Sequence, residues 1–164
     1  MTELRELLLR APRWKIAVAE SLTCGRVQAR IGEVSGASDY FLGGITAYAL
    51  EEKVRLLGVE PTHAAAVNCF SATVAEQMAR GVCGLFGAEV GLATTGYAEP
   101  SVEWGVTQPA AWWAVAIKTD RDRFSLHSGL VECPGANRIE AQERVATTAL
   151  AVLLPLLREV RRAE

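Results

Sequence analysis

Ser21 stands where the pattern of apolar residues changes from that of a strand to that of a helix. Residues 15–20 alternate in the manner of a buried strand, and the apolar side chains that follow residue 25 recur at helical spacing. The first N–H groups of such a helix lack intrahelical partners and carry the positive end of its dipole, which favours an oxyanion or a phosphate. The pattern predicts a nucleophilic serine at this turn. The alternative is that Ser21 or Thr23 only caps the helix.

Tyr48 and Lys53 flank a second strand-to-helix junction, with Tyr48 at the expected end of the strand and Lys53 in the first turns of the helix. A serine hydroxyl needs a group that accepts its proton, and a lysine can serve when burial lowers its pKa from about 10.4. A tyrosine can relay or donate a proton. The alternative is that Lys53 is a solvated helix residue and Tyr48 is half-buried packing.

The two junctions belong to an ordered set of motifs that covers most of the chain. The set comprises Ala19–Gly25, Ser35–Ser38 with Phe41, Gly44–Lys53, Leu57–Val59, Ala65–Val67, Thr95–Gly96, Gly105–Val106 and a terminal helix after Asn137–Arg138. In these motifs the chain resembles the CinA C-terminal domain family, whose characterised enzymes are nicotinamide-nucleotide amidohydrolases. The resemblance implies a catalytic group of Ser21, Tyr48 and Lys53. The substrate-binding residues that we expect around this group are Glu20, Thr23, Cys24, Gly25, Thr95, Gly96 and Arg138.

The resemblance also implies a reaction, the deamidation of nicotinamide mononucleotide to nicotinic acid mononucleotide and ammonia in pyridine nucleotide salvage. Ser21 would attack the amide carbon, Lys53 with Tyr48 would move the protons, and no metal or organic cofactor would be needed. Arg26, Arg30 and Arg138 are candidates for the phosphate, and charge alone does not choose among them. Two other functions stay open: a non-catalytic domain that binds a nucleotide or a partner protein, and an amidase for another small amide.

Three residues depart from the family motifs where chemistry is expected. Cys24 takes the place of the first of two glycines, and Asn68 stands where a serine is usual. Glu99 replaces a glycine close to the expected phosphate pocket, where a carboxylate would repel a phosphate. These departures indicate a change of substrate or a loss of activity.

Composition narrows the class of protein. The chain has 164 residues, and half of them are hydrophobic. This length and composition predict one domain over residues 1–164 with a substantial core. A net charge of -2 without a long basic run argues against nucleic acid as a partner, and no apolar run is long enough to cross a bilayer. We therefore expect a cytoplasmic protein, and the resemblance implies a small-molecule nucleotide as its substrate. The oligomeric state stays open, and a symmetric homodimer is common for small domains.

The four cysteines are too widely spaced for a zinc site and fit reduced, mostly buried thiols. Cys24 is the exception, because a thiol at a helix N-terminus can become a thiolate nucleophile. This alternative to Ser21 stays open.

The periodicities predict a three-layer α/β/α sandwich around a mixed, mostly parallel sheet of about five strands. Helices are expected at 2–10, after the first two strands, at 71–86 and after Asn137, and the later strands at 88–95, 110–118 and 123–132. Ligands of such sheets collect beyond the carboxyl ends of the strands, where the segments that end at Ser21, Tyr48 and Gly96 all lie. Trp104, in a loop, is a candidate for stacking on a base.

Overall fold

A computed structural model describes residues 2–121 and 123–163 of the chain. The strands are β1 (Ile16–Glu20), β2 (Phe41–Thr46), β3 (Val90–Tyr97), β4 (Ala110–Asp120) and β5 (Arg123–Glu132). The helices are α1 (Thr2–Leu9), α2 (Arg26–Gly32), α3 (Leu50–Leu57), α4 (Pro61–Ala66), α5 (Ala72–Phe86) and α6 (Arg138–Ala163), with a short 3-10 helix at Ala37–Asp39. No helix of the described residues is long and apolar enough to cross a membrane.

The five strands form one mixed sheet in the order β2-β1-β3-β4-β5. β1 lies between β2 and β3 and is parallel to both, whereas β4 is antiparallel to β3 and to β5. Four of the five strands therefore run in the same direction. The carboxyl ends of β1, β2 and β3 lie side by side at one edge of the sheet, where the sequence places its candidate catalytic residues.

Alternation along β1 separates two cores, one on each face of the sheet. Ile16 and Val18 pack with apolar residues of α1, α2 and α6. Ala17 and Ala19 face the other way and pack with apolar residues of α3, α4 and α5. Small side chains on this second face let α5 lie close to the sheet, since β1 and β3 both contact it. The predicted mixed sheet with helices on both faces is confirmed.

The structure corrects some predicted boundaries and supports a predicted helix cap. β2 ends at Thr46, so Tyr48 lies in the connection before α3 and not at the end of a strand. Asn137 and Glu140 bond reciprocally, because each side chain accepts from the other's backbone N–H at 2.9 and 3.0 Å. This capping box fixes the start of α6, and hence the position of Arg138.

Candidate active site

Ser21 follows β1 directly and remains tied to the sheet. Its backbone N–H donates to the carbonyl of Thr94 in β3 at 3.0 Å, and its side chain belongs to a residue only 6% exposed. The next residues turn sharply into α2, with φ of 47° at Cys24 and 89° at Gly25. Glycine adopts this left-handed conformation easily and cysteine does so at a cost. The turn thus holds the hydroxyl of Ser21 at the end of the parallel strands.

Glu20 caps the N-terminus of α2 with its buried carboxylate. One carboxylate oxygen accepts from the N–H groups of Gly25 and Val27 at 3.0 and 3.2 Å, and the other accepts from Gln28 at 2.9 Å. These donors at the positive end of the helix dipole are therefore satisfied within the protein, and we place no substrate anion on them. The N–H groups of Leu22 and Thr23, just after Ser21, have no acceptor among residues 2–121 and 123–163.

Lys53 reaches Ser21 from the first turns of α3. Its Nζ donates to the Ser21 Oγ at 3.0 Å and to the backbone carbonyl of Tyr48 at 2.6 Å. The residue is 2% exposed, and burial lowers the pKa of its amine, because a low-dielectric environment disfavours the charged form. Lys53 is thus a buried amine next to a hydroxyl, held by a backbone carbonyl, with a pKa shifted toward the neutral form that could accept a proton.

Tyr48 meets this pair through its backbone, while its phenol lies further out. The phenol oxygen accepts a hydrogen bond from Nη2 of Arg138 at 2.8 Å. Its side chain is exposed, and neither Ser21 nor Lys53 is within hydrogen-bond distance of the phenol. The three expected catalytic residues therefore share one pocket, but only the hydroxyl and the amine are in contact.

The pocket between these groups has a volume of about 440 Å³, within the range of small-molecule sites. β3 forms one wall, where the Thr95 hydroxyl donates to the carbonyl of Cys69 at 2.9 Å. Gly96 has no room for a side chain, since a Cβ there would lie 2.4 Å from the carbonyl oxygen of Ala110. The lining residues are Ser21, Tyr48, Ala49, Leu50, Lys53, Asn68, Cys69, Thr95, Gly96, Tyr97, Ala98, Glu99, Pro100, Ser101 and Arg138.

Arg138 is the member of the three candidate arginines that lines this pocket. Its guanidinium binds the Tyr48 phenol through Nη2 and the Glu99 carboxylate through Nη1, the latter at 2.9 Å. Arg26 and Arg30 instead form ion pairs with Glu143 of α6. Glu99 thus lines the pocket next to Arg138, where its carboxylate would repel a phosphate.

Four of the expected substrate-binding residues lie in the Ser21 turn but do not line the pocket: Glu20, Thr23, Cys24 and Gly25. Thr23 bonds the hydroxyl of Thr94 at 2.8 Å, and the Cys24 thiol donates to the carbonyl of Ser21 at 3.4 Å. These residues shape the turn. Trp104, the stacking candidate, also lies outside the lining set.

Sequence reasoning did not place the segment before α5 in the lining of the pocket. Asn68 and Cys69 both have positive φ, 48° and 59°, and both line the pocket. The Asn68 amide donates to the phenol of Tyr97 at 2.8 Å, which ties this segment to β3. A signal was present, because Asn68 departs from the family motif, but its position in the fold could not be read from spacing.

Among the described residues no group of three or more His, Cys, Asp and Glu side chains is placed to hold a metal ion.

Comparison with known proteins gives a consistent picture. A family model for the CinA C-terminal domain matches residues 1–157. CinA-like proteins of Chlorobium limicola and Mycobacterium tuberculosis are 36% and 38% identical over 88% and 85% of this chain. The chain spans only 34% and 31% of the length of these two relatives.

Solved structures share the fold over nearly the whole chain. A CinA superfamily protein from Klebsiella pneumoniae superposes with a TM-score of 0.85, at 23% identity, and the match covers 96% of this chain and 95% of that one. The competence/damage inducible protein from Agrobacterium tumefaciens gives a TM-score of 0.79 at 24% identity, with 94% and 95% covered. At these sequence identities the two matches support the fold alone.

Proposed function

The chain belongs to the CinA C-terminal domain family, and on that premise we propose that it is a serine amidohydrolase that deamidates nicotinamide mononucleotide to nicotinic acid mononucleotide and ammonia. The observation that carries the proposal is the 3.0 Å contact between the Lys53 Nζ and the Ser21 Oγ at the inner end of a pocket. A nucleophile and a base within hydrogen-bond reach are the minimum that amide hydrolysis through a serine requires.

The first half of the reaction forms an ester on Ser21. As its Oγ attacks the amide carbon, the hydroxyl proton passes to the neutral Nζ of Lys53, whose lowered pKa makes this form accessible. The Tyr48 carbonyl holds the amine in place during the transfer. The C–N bond then breaks, and Lys53 returns the proton to the leaving nitrogen, which departs as ammonia.

The second half regenerates the enzyme. A water molecule attacks the ester carbon and gives a proton to Lys53, the bond from carbon to Oγ breaks, and Ser21 recovers its proton from Lys53. In both halves the carbonyl oxygen becomes an oxyanion. We assign its stabilisation to the unpaired N–H groups of Leu22 and Thr23, each of which would contribute about 3 kcal/mol to the transition state if they behave as oxyanion donors usually do.

Arg138 and Tyr48 would receive the far end of the substrate. The Tyr48 phenol and the Arg138 guanidinium lie at the exposed side of the pocket, and both can donate to a phosphate or a ribose. Tyr48 is thereby a binding residue with its phenol, and it acts on Lys53 through its main chain. This assignment changes the expectation that the phenol itself relays the serine proton.

A second candidate, an amidase for another small amide, is favoured by one observation. The carboxylate of Glu99 is already bound to Arg138, so the pocket offers a phosphate less positive charge than the arginine alone would. The serine and lysine chemistry would be the same in this case, and only the substrate would differ.

The proposal is tested by incubating the purified protein with nicotinamide mononucleotide and measuring ammonia and nicotinic acid mononucleotide. We expect both products in equal amounts from the wild type and neither from Ser21→Ala, with Cys24→Ala as the matched control that stays active. Turnover that survives Ser21→Ala would refute the assigned nucleophile. Thermal stabilisation by the nucleotide without any product would instead favour the non-catalytic binding domain.

A further inference from the structure

The outer end of the pocket contains a charge arrangement that catalysis does not explain. Arg138 donates to Glu99 at 2.9 Å and to the Tyr48 phenol at 2.8 Å, so two of its guanidinium nitrogens are occupied by the protein's own groups. The Tyr48 contact is neutral and leaves the positive charge of the arginine unopposed. The Glu99 contact opposes it with a full negative charge.

The contact between Glu99 and Arg138 matters because the pocket has few charged residues. Its charged lining residues are Lys53, Glu99 and Arg138. Lys53 is buried at the inner end, where its function requires the neutral form for part of the cycle. At the outer end Glu99 and Arg138 cancel, and an anionic substrate group that approaches the arginine must approach the carboxylate as well.

The pair is nevertheless open to competition. Both side chains are substantially exposed, 64% for Glu99 and 45% for Arg138. Exposed ion pairs of this kind are weak, because water and salt screen them and because two long side chains must be held in one geometry. A phosphate can therefore displace Glu99 from Arg138, and the displaced carboxylate remains close enough to repel it.

We propose that Glu99 is a specificity-determining residue: it competes with the anionic end of a substrate for Arg138 and so shifts the preference of the pocket toward carboxamides without a phosphate. The inference rests on the proposed function for its substrate class. According to this inference, the side chain of Glu99 sets the ratio of the activity on a phosphorylated amide to the activity on the same amide without its phosphate.

The experiment compares nicotinamide mononucleotide with nicotinamide riboside, which differ by the phosphate alone. For Glu99→Gln we expect kcat/KM on the mononucleotide to rise about 5- to 10-fold, mostly through a lower KM, since a neutral amide no longer repels the phosphate. On the riboside we expect a change below about 2-fold, because it has no phosphate to meet residue 99. Glu103→Gln is the matched control, since Glu103 is exposed in the same region and lies outside the pocket.

Arg138 supplies the second check. If the two side chains act on one phosphate, Glu99→Gln should improve the mononucleotide over the riboside less in an Arg138→Gln background than in the wild type, because the competition for Arg138 is lost and only the direct repulsion is relieved. Equal changes on both substrates, a fall on the mononucleotide, or the same shift in Glu103→Gln would each overturn the inference.

Binding to the Ser21→Ala variant separates this inference from the proposed function. Calorimetric titration with both compounds should show that the added Glu99→Gln change tightens only the mononucleotide. That result without turnover by the wild type would refute the amidohydrolase and leave the role of Glu99 standing. Turnover with an unchanged substrate ratio would do the reverse, and absence of both binding and turnover would refute the two together.

Discussion

Among the residues that the structure describes, two cationic side chains are buried, those of Lys53 and Arg161, and their surroundings differ. Arg161 of α6 is 1% exposed and lies beyond the amino end of β1, with its guanidinium carbon 3.5 Å from the centre of the Trp14 ring. Its nitrogens donate to the carbonyls of Leu7, Arg10 and Pro12 at 3.1, 3.4 and 2.8 Å. These contacts join the end of α6 to α1 and to the chain that leads into β1.

Lys53 lies beyond the other end of β1 and has fewer fixed acceptors. One backbone carbonyl and the hydroxyl of Ser21 take its hydrogen bonds, and the rest of the amine faces a pocket. A guanidinium held by several carbonyls and an aromatic face keeps its charge and serves as a clamp. An amine with two acceptors and a lowered pKa is suited to exchange a proton. Burial alone does not mark a functional cation, whereas the set of its partners does.

Replacement of Lys53 should give the largest effect on activity. Lys53→Met keeps most of the buried volume but removes the proposed proton acceptor of Ser21, and we expect the rate of ammonia release to fall by about a thousandfold or more. The free energy of unfolding should stay the same or rise, because a buried amine is replaced by an apolar side chain. Lys118→Met, at an exposed lysine, is the control and should retain full activity.

Arg161 should show the opposite pattern. Arg161→Met leaves backbone carbonyls of the α1 region without their donor, and we expect the free energy of unfolding to fall by about 3 kcal/mol. Ammonia release per folded molecule should change by less than about twofold, because the described contacts of Arg161, with Leu7, Arg10, Pro12 and Trp14, lie at the end of β1 away from the pocket. Urea unfolding and the deamidation assay measure the two quantities. A loss of turnover at unchanged stability would contradict the contrast between the two cations.

The pH dependence of the free energy of unfolding should also distinguish Lys53 from Arg161, although the expected effect is smaller. Burial lowers the pKa of Lys53 in the folded protein, so between that pKa and the unfolded value of about 10.4 the unfolded chain binds more protons. Stability contributed at this site therefore rises with pH across that window, as the cost of burying the charged amine disappears. Lys53→Met lacks this pH-dependent contribution to stability.

Urea unfolding between pH 7 and pH 10 measures this term as the stability of the wild type minus that of Lys53→Met. We expect the difference to grow with pH. The same difference taken with Arg161→Met should stay flat, because arginine side chains keep their charge throughout this range. A flat difference for Lys53 as well would show that its amine titrates as a solvated lysine does.

The sequence predicted the architecture well because the signals were local and periodic. The switch at Ser21 from strand to helical spacing, and the pairing of Asn137 with Glu140, both correspond to observed element ends. The end of β2 was placed too late, since Gly44-Ile45-Thr46-Ala47-Tyr48 continues the alternation that a strand would show. The strand ends where its backbone pairing with β1 ends, and the local sequence does not contain that information.

The sequence indicated which candidate residues share the pocket more fully than it indicated their contacts. Family motifs singled out Ser21, Tyr48 and Lys53, but only the folded structure shows that Lys53 donates to the carbonyl of Tyr48 and not to its phenol. The role of Glu20 as a helix cap follows from a turn whose two positive φ angles fold the N–H groups back onto its carboxylate. Such angles could not be inferred at Cys24, where a side chain normally disfavours them.

The most direct test of the central claim, that Lys53 activates Ser21, needs no knowledge of the substrate. A fluorophosphonate reacts with activated serine hydroxyls, and mass spectrometry of the digested protein locates and quantifies the label. We predict one label per chain on the peptide that contains Ser21, formed at least about a hundredfold more slowly in Lys53→Met than in the wild type and in Lys118→Met. Labelling of Cys24 in place of Ser21, or labelling of Ser21 at the same rate without the lysine, would contradict the account.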